Sequence, residues 1–168
     1  MKVLVLFVLA FATVVNVHGQ DAGKASQRVA DAELESTLER YSKASAAFYD
    51  GRPEAVKGMW SHADDVTLSG AAGGSTAKGW KDVSERLSWA SSQFKDAKGS
   101  KSVELVNSSV SGNFAYIVQY EHIRYTPAGQ TTEAKRDYRV TTIFRREPQG
   151  WRVVHRHADT LMQRQDIR

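Results

Sequence analysis

Imidazoles, guanidinium groups and carboxylates are gathered in the last third of the chain, in the stretch Asp137–Asp159, DYRVTTIFRREPQGWRVVHRHAD. His155 and His157 fall on one face of a strand, about 6.5–7 Å apart along the chain. Two imidazoles so placed can share a metal ion, with His122 or His62 as a third ligand. Nothing in the sequence fixes that third ligand, so no metal site is expected. The rings are read instead as structural, hydrogen-bonded beneath the sheet or at an interface. Arg139 offers different chemistry. Unpaired, a buried arginine is an anion site; paired with a glutamate, it is a structural element. Glu121, on the preceding strand, is its expected partner. Asp64, Asp65 and Glu121 are the acids in places where a base could stand, with Tyr41 and Tyr120 as proton donors. Asp64-Asp65 sits in a turn before a strand, where Asp is usually a capping residue.

These residues ride on a predicted hairpin. Val140, Thr142 and Phe144 alternate with Arg139, Thr141, Ile143 and Arg145, and the turn Glu147-Pro148-Gln149-Gly150 leads into Trp151, Val153, His155 and His157. Period-two alternation of β-branched and aromatic residues, closed by Pro and Gly, is a hairpin pattern. A regular turn places Arg146 opposite Trp151, Phe144 opposite Val153, Thr142 opposite His155 and Val140 opposite His157. One face is then apolar and carries both imidazoles, and Arg139 faces the other way; only a bulge would bring the two sets together.

The earlier elements follow from periodicity. Leu34, Leu38, Tyr41 and Phe48 recur at helical steps, and Asp50-Gly51-Arg52-Pro53 ends that helix. A short helix from Glu54 delivers Trp60, and Val66–Ser69 reads as a strand. Gly70-Ala71-Ala72-Gly73-Gly74 lacks the Lys-Ser/Thr that closes a phosphate-binding loop, so it reads as a flexible connection. A third helix runs from Trp80 to about Phe94, burying Val83, Leu87 and Ala90. Trp89 lies on its opposite side, as a pocket rim, a subunit contact or part of a wide apolar stripe. Strands Ser102–Val110 and Phe114–Thr126 precede the hairpin. Helices first and consecutive antiparallel strands after them make an α+β domain, a curved sheet wrapping a long helix.

The chain has 168 residues, no cysteine and a formal charge of +4. Its basic residues are scattered among acids, which argues against a nucleic-acid groove. Lys2 and the apolar run Val3–Val15, followed by Val17-His18-Gly19, read as a signal peptide over residues 1–19. The expected order is then a flexible lead-in at 20–29, one domain at 30–160 and a polar tail at 161–168. The mature protein is expected to be secreted or periplasmic, with no membrane segment after signal removal. Asn107-Ser108-Ser109 is a possible glycosylation sequon.

Trp60, Asp64-Asp65-Val66-Thr67-Leu68, Gly73-Gly74, Gly79-Trp80 and Tyr138-Arg139-Val140-Thr141 through Trp151-Arg152-Val153-Val154-His155-Arg156-His157 together resemble a SnoaL-like domain. That family lies in the nuclear transport factor 2-like (ketosteroid isomerase-like) superfamily. The hairpin also resembles the association domain of calcium/calmodulin-dependent protein kinases, in which the matching arginine lies in the pocket and can meet acidic ligands. The resemblance implies a cone: a strongly curved, mainly antiparallel sheet around the long N-terminal helix, with a pocket between them. It implies a small organic ligand, with anions among the candidates, bound by Trp60, Trp80, Tyr41, Arg139, Thr141, His155 and His157, in a homodimer without cofactor. An isomerase or hydrolase of this fold would need a pocket carboxylate, Glu121 or Asp64, with Tyr41 as donor. A structural dimer module without ligand is the remaining reading, since this fold hosts many functions.

Overall fold

The computed structural model describes residues 17–160 and 162–163, with side chains from Ala32 onward. Most of the expected leader and of the polar tail lies outside the described residues. No described helix is long and apolar enough to cross a membrane.

Helix α1 spans Val17–Phe48, α2 Glu54–Lys57 and α3 Trp80–Ser92; the strands are β1 Thr67–Ser69, β2 Ala77–Lys78, β3 Lys98–Ser111, β4 Phe114–Thr126, β5 Ala134–Glu147 and β6 Gly150–Asp159. Helix α1 begins before the predicted apolar stripe and takes in the segment read as a lead-in. Its buried side comprises Leu34, Thr37, Tyr41, Ala44 and Ser45, with Leu38 and Phe48 packed at the margin. Thr37 hides its hydroxyl by donating to the Glu33 carbonyl one turn back (2.9 Å). Gly51 ends the helical region at φ +81°, and a Cβ there would lie 2.8 Å from Lys95 Cα, so both backbone angle and contact require glycine.

The six strands form one sheet in the order β2-β1-β6-β5-β4-β3. It is antiparallel except where β1 runs parallel to β6, pairing Thr67 with His155 and Ser69 with His157. The inner face of β4 carries Ala115, Ile117, Gln119, Glu121 and Ile123, all buried. Phe144, fully buried, meets the Tyr41 ring edge-on at 5.9 Å and pins α1 to the sheet. Burying such a ring contributes about 1.5–3 kcal/mol. The sheet curves around α1 and α3 but does not close, which makes the architecture an α+β cone with an open end.

The hairpin register differs from the regular one. Arg146 opposes Trp151 and Phe144 opposes Val153 as expected, but Ile143, not Thr142, opposes His155. A β-bulge at this point leaves Val154 as an extra residue on β6. Val153 and Val154 are consequently both buried. Beyond the bulge every side chain of β6 changes face: Arg156 and Ala158 turn inward beside Thr142 and Val140, and His155 and His157 turn outward beside Ile143 and Thr141. A bulge does this because the side-chain period of a strand is two, so one inserted residue inverts everything after it.

Candidate functional site

A cavity of about 550 Å³ opens between the C-terminal half of α1, the inner face of α3 and the inner sheet. Tyr41, Phe48 and Tyr49 line it from the α1 side, Leu87 and Ala90 from α3, Phe94 from the turn after α3, and Glu121, Tyr125, Tyr138 and Arg156 from the sheet. These positions fall together because α1 and α3 each turn one stripe toward the sheet and the strands present alternate residues.

The floor of the cavity is polar. Glu121, 1 % exposed, accepts from Gln119 Nε2 at Oε1 (2.7 Å), and from Tyr49 Oη (2.9 Å) and Arg156 Nη2 (3.1 Å) at Oε2. Burial pushes its carboxyl up, but the charge of Arg156, then that of Lys101, and the Tyr49 and Gln119 hydrogen bonds outweigh it and hold the pKa at about 2. For Arg156, burial works against the charge, yet the adjoining Glu121 carboxylate keeps it above its ordinary value. Burial raises the Tyr41 and Tyr49 hydroxyls, in each case against the pull of Arg156. Lys101 stands over the Tyr49 ring, 5.1 Å from its centroid, with its pKa lowered by burial. Glu121 is therefore an ionised carboxylate with both oxygens occupied. Such a group is a weak base, and Arg156 is the cation of the floor.

Of the candidate site residues picked from the sequence, the cavity gathers Tyr41 and Glu121, with Trp89 at its rim, and leaves out the others. Arg139 is half exposed, and its Nε donates to Asp159 Oδ1 (3.0 Å); it neither meets Glu121 nor enters the pocket. The bulge is the reason, since it sends Arg156 inward and leaves Arg139 with Thr141, His155 and His157 on the outer face. His155 Nδ1 lies 2.7 Å from Thr67 Oγ1, and partial burial followed by the charge of His157 lowers its pKa. Its role there is to tie β6 to β1. Trp60, 2 % exposed, is a core residue bridged to Val153. Trp80 stacks on His62 at 3.9 Å away from the cavity. Asp64 is exposed in its turn, and Asp65 takes both Nη atoms of Arg145 (2.6 and 3.2 Å). Tyr120 lies on the outer face opposite Arg139. Asn107 is exposed on β3 and donates to Tyr116 Oη (3.0 Å). No group of three or more His, Cys, Asp or Glu positioned for a metal occurs among the described residues. Trp89 is 51 % exposed and borders the cavity mouth.

Sequence reasoning missed Arg156, Tyr49, Gln119 and Tyr138. The available signal was Val153-Val154, two consecutive apolar β-branched residues that break strict alternation in a strand otherwise obeying it.

The sequence profile of the SnoaL-like domain matches residues 36–162. No curated protein gives a significant match. Among solved structures, the chain is similar to a nuclear transport factor 2-like superfamily protein from Salmonella enterica (17 % identity, TM-score 0.63, covering 79 % of this chain and 92 % of that one). It is similar to a chain described as a calcium/calmodulin-dependent protein kinase type II association domain from Thiobacillus denitrificans (20 %, 0.62, 76 % and 94 %). A ketosteroid isomerase-like protein from Erwinia carotovora is a third (19 %, 0.61, 79 % and 96 %). At these identities the likeness is one of fold.

Proposed function

Since the chain belongs to the SnoaL-like domain family, whose fold serves ligand binding as readily as isomerisation or dehydration, we propose its function from its own cavity: it binds a small organic anion. Arg156 is the observation that carries this reading. It is a cation on the floor of a cavity of about 550 Å³, a size within the usual range for small-molecule sites. Glu121 engages its Nη2 and the Tyr41 hydroxyl also bonds the guanidinium, so its five N–H donors outnumber these partners and leave some for a carboxylate. The aromatic walls supply Tyr41, Tyr49, Phe94, Tyr125 and Tyr138 for an apolar body.

The enzyme reading is weaker on physical grounds. A general base is most effective with a pKa near working pH, and Glu121 is held near 2 with both oxygens hydrogen-bonded. The leader-like first nineteen residues support export. Exposed Phe114 and Tyr116, beside Val118 on the outer sheet face, support a homodimer through that face.

The test is calorimetric titration of the protein with benzoate, phenylacetate and hexanoate beside the corresponding neutral amides. Saturable binding of an acid and not of its amide, lost in the cavity-filling variant Ala90→Trp and weakened in Arg156→Lys, supports the reading. Equal binding of acids and amides, or binding that survives Ala90→Trp, would overturn it.

A further inference from the structure

The cavity mouth holds two arginines that the floor does not account for. Arg86, on α3, lines the cavity and spends its guanidinium on backbone carbonyls of the glycine-rich β1–β2 loop, Nη1 on Gly73 (3.3 Å) and Nη2 on Ser75 (3.1 Å). Arg136, near the start of β5, also lines it and donates from Nη1 to the Lys135 carbonyl (3.0 Å). Neither forms an ion pair with a carboxylate among the described residues. Of the acids near them in sequence, Glu85 pairs with Lys81 and Asp137 with Arg124 and His122, while Asp82 and Glu133 are exposed and do not line the cavity. Around the whole cavity the described lining contains three arginines and one acid, and that acid, Glu121, is committed to Arg156. Carbonyl partners orient a guanidinium without neutralising it, so the mouth keeps a positive field that a low-dielectric rim concentrates. Between floor and mouth the wall is aromatic: Phe94, Tyr125, Tyr138 and, at the rim, Trp89.

We infer that the ligand is a dianion with acidic groups at both ends of an apolar body, one end on Arg156 at the floor and the other on Arg86 and Arg136 at the mouth. This deepens the anion-binding reading and rests on it. A monoanion would satisfy the floor and leave the mouth charges to solvent. A dicarboxylate of matching length satisfies both, and the aromatic wall takes up its methylenes. Arg86 gains a second role, because it holds the glycine-rich loop at the rim while presenting its remaining N–H groups. Gly73 and Gly74, at φ +83° and +84°, give that loop the shape that turns its carbonyls toward Arg86.

The experiment is titration of the full mature chain with linear α,ω-dicarboxylates from succinate to azelate and with the monomethyl ester of each. The pairs differ by one charge and share a shape. At the best-fitting length the diacid is expected to bind at least tenfold tighter than its half-ester. Arg86→Gln and Arg136→Gln should each erase most of that advantage, weakening the diacid far more than the half-ester. Added salt should weaken the diacid more than the half-ester. Equal affinity of diacid and half-ester at every length overturns the two-charge inference and leaves the anion-binding reading standing. A diacid advantage that persists in both arginine variants also overturns it, by placing the second charge elsewhere. Binding of neither series, by a chain that unfolds cooperatively, removes the anion-binding reading and this inference together.

Discussion

Replacing Arg156 with methionine removes the cation that keeps Glu121 ionised and leaves a carboxylate, 1 % exposed, without its main counter-charge. Glu121 is held at about 2 against an ordinary value of 4.5. At about 1.4 kcal/mol per pKa unit, that shift links to about 3 kcal/mol of stability at neutral pH. Breaking a buried pair by deleting one partner usually costs about 3–5 kcal/mol, because the stranded charge adds its desolvation. Arg156→Met is therefore expected to lose about that much at pH 7. Adding Glu121→Gln to it should restore most of the loss, since an amide still receives Tyr49 and carries no charge.

The sign of the pH dependence makes the sharper test. In the wild type, Glu121 has a depressed folded pKa, so its contribution is complete above about 4.5 and is lost as the pH falls toward about 2. In Arg156→Met, burial prevails and raises the folded pKa above the unfolded one. The folded state then holds a proton that the unfolded state has released, and stability falls as the pH rises through the raised pKa. Urea unfolding followed by tryptophan fluorescence, at intervals from pH 3 to 8, reads both slopes, with Glu121→Gln as the reference for the other carboxylates. A loss under about 1 kcal/mol in Arg156→Met at pH 7, with the wild-type slope retained, would refute the reasoning and make the pair a surface-like bridge.

Asp65→Asn removes both carboxylate bonds to Arg145, but Asp65 is largely exposed, so its loss should stay below about 1 kcal/mol in the same unfolding assay. Gly99→Ala places a Cβ against the Arg124 carbonyl and 2.6 Å from Tyr125 Cα, so strands β3 and β4 must shift; a loss of about 1–3 kcal/mol and a lower Tm are expected. Trp89 borders the cavity mouth while Trp60 and Trp151 are buried elsewhere, so a bound ligand should change the emission and Trp89→Phe should abolish most of that change. Tyr116→Asp places a charge on the outer sheet face and should shift sedimentation toward monomer if that face joins two copies, with the unfolding midpoint of the monomer little altered.

The elements themselves were legible because each announces a period. Leu34, Leu38, Tyr41 and Phe48 gave α1 its buried side, and alternation set Ala115, Ile117, Gln119, Glu121 and Ile123 on one face of β4 without saying which face turns inward. Glu121 was legible as a candidate acid on the strand beside the hairpin. Its partner was not. A strand pattern assigns faces only modulo two, so one unmarked extra residue exchanges the inward and outward sets. Trp60 was also misplaced, for a different cause: an apolar tryptophan satisfies a core and a pocket wall equally well, and only its bridge to Val153 decides.

Val154 is thus the residue on which the site turns. With a regular hairpin, His155 and His157 would enter the cone and Arg156 would face away from Glu121, leaving the buried carboxylate without its guanidinium partner. Glu121 would then be pushed up by burial toward the range of a working base. The bulge substitutes a permanent cation for two titratable rings. Through that exchange Glu121 becomes a counter-ion and, on the proposed reading, the floor becomes a fixed anion anchor in place of a carboxylate base. Deleting Val154 would restore the regular register only if the chain could bury two imidazoles in place of one ion pair. The Arg156–Glu121 bridge and the Thr67–His155 bond both oppose that exchange, so the deletion is expected to unfold the domain without converting it.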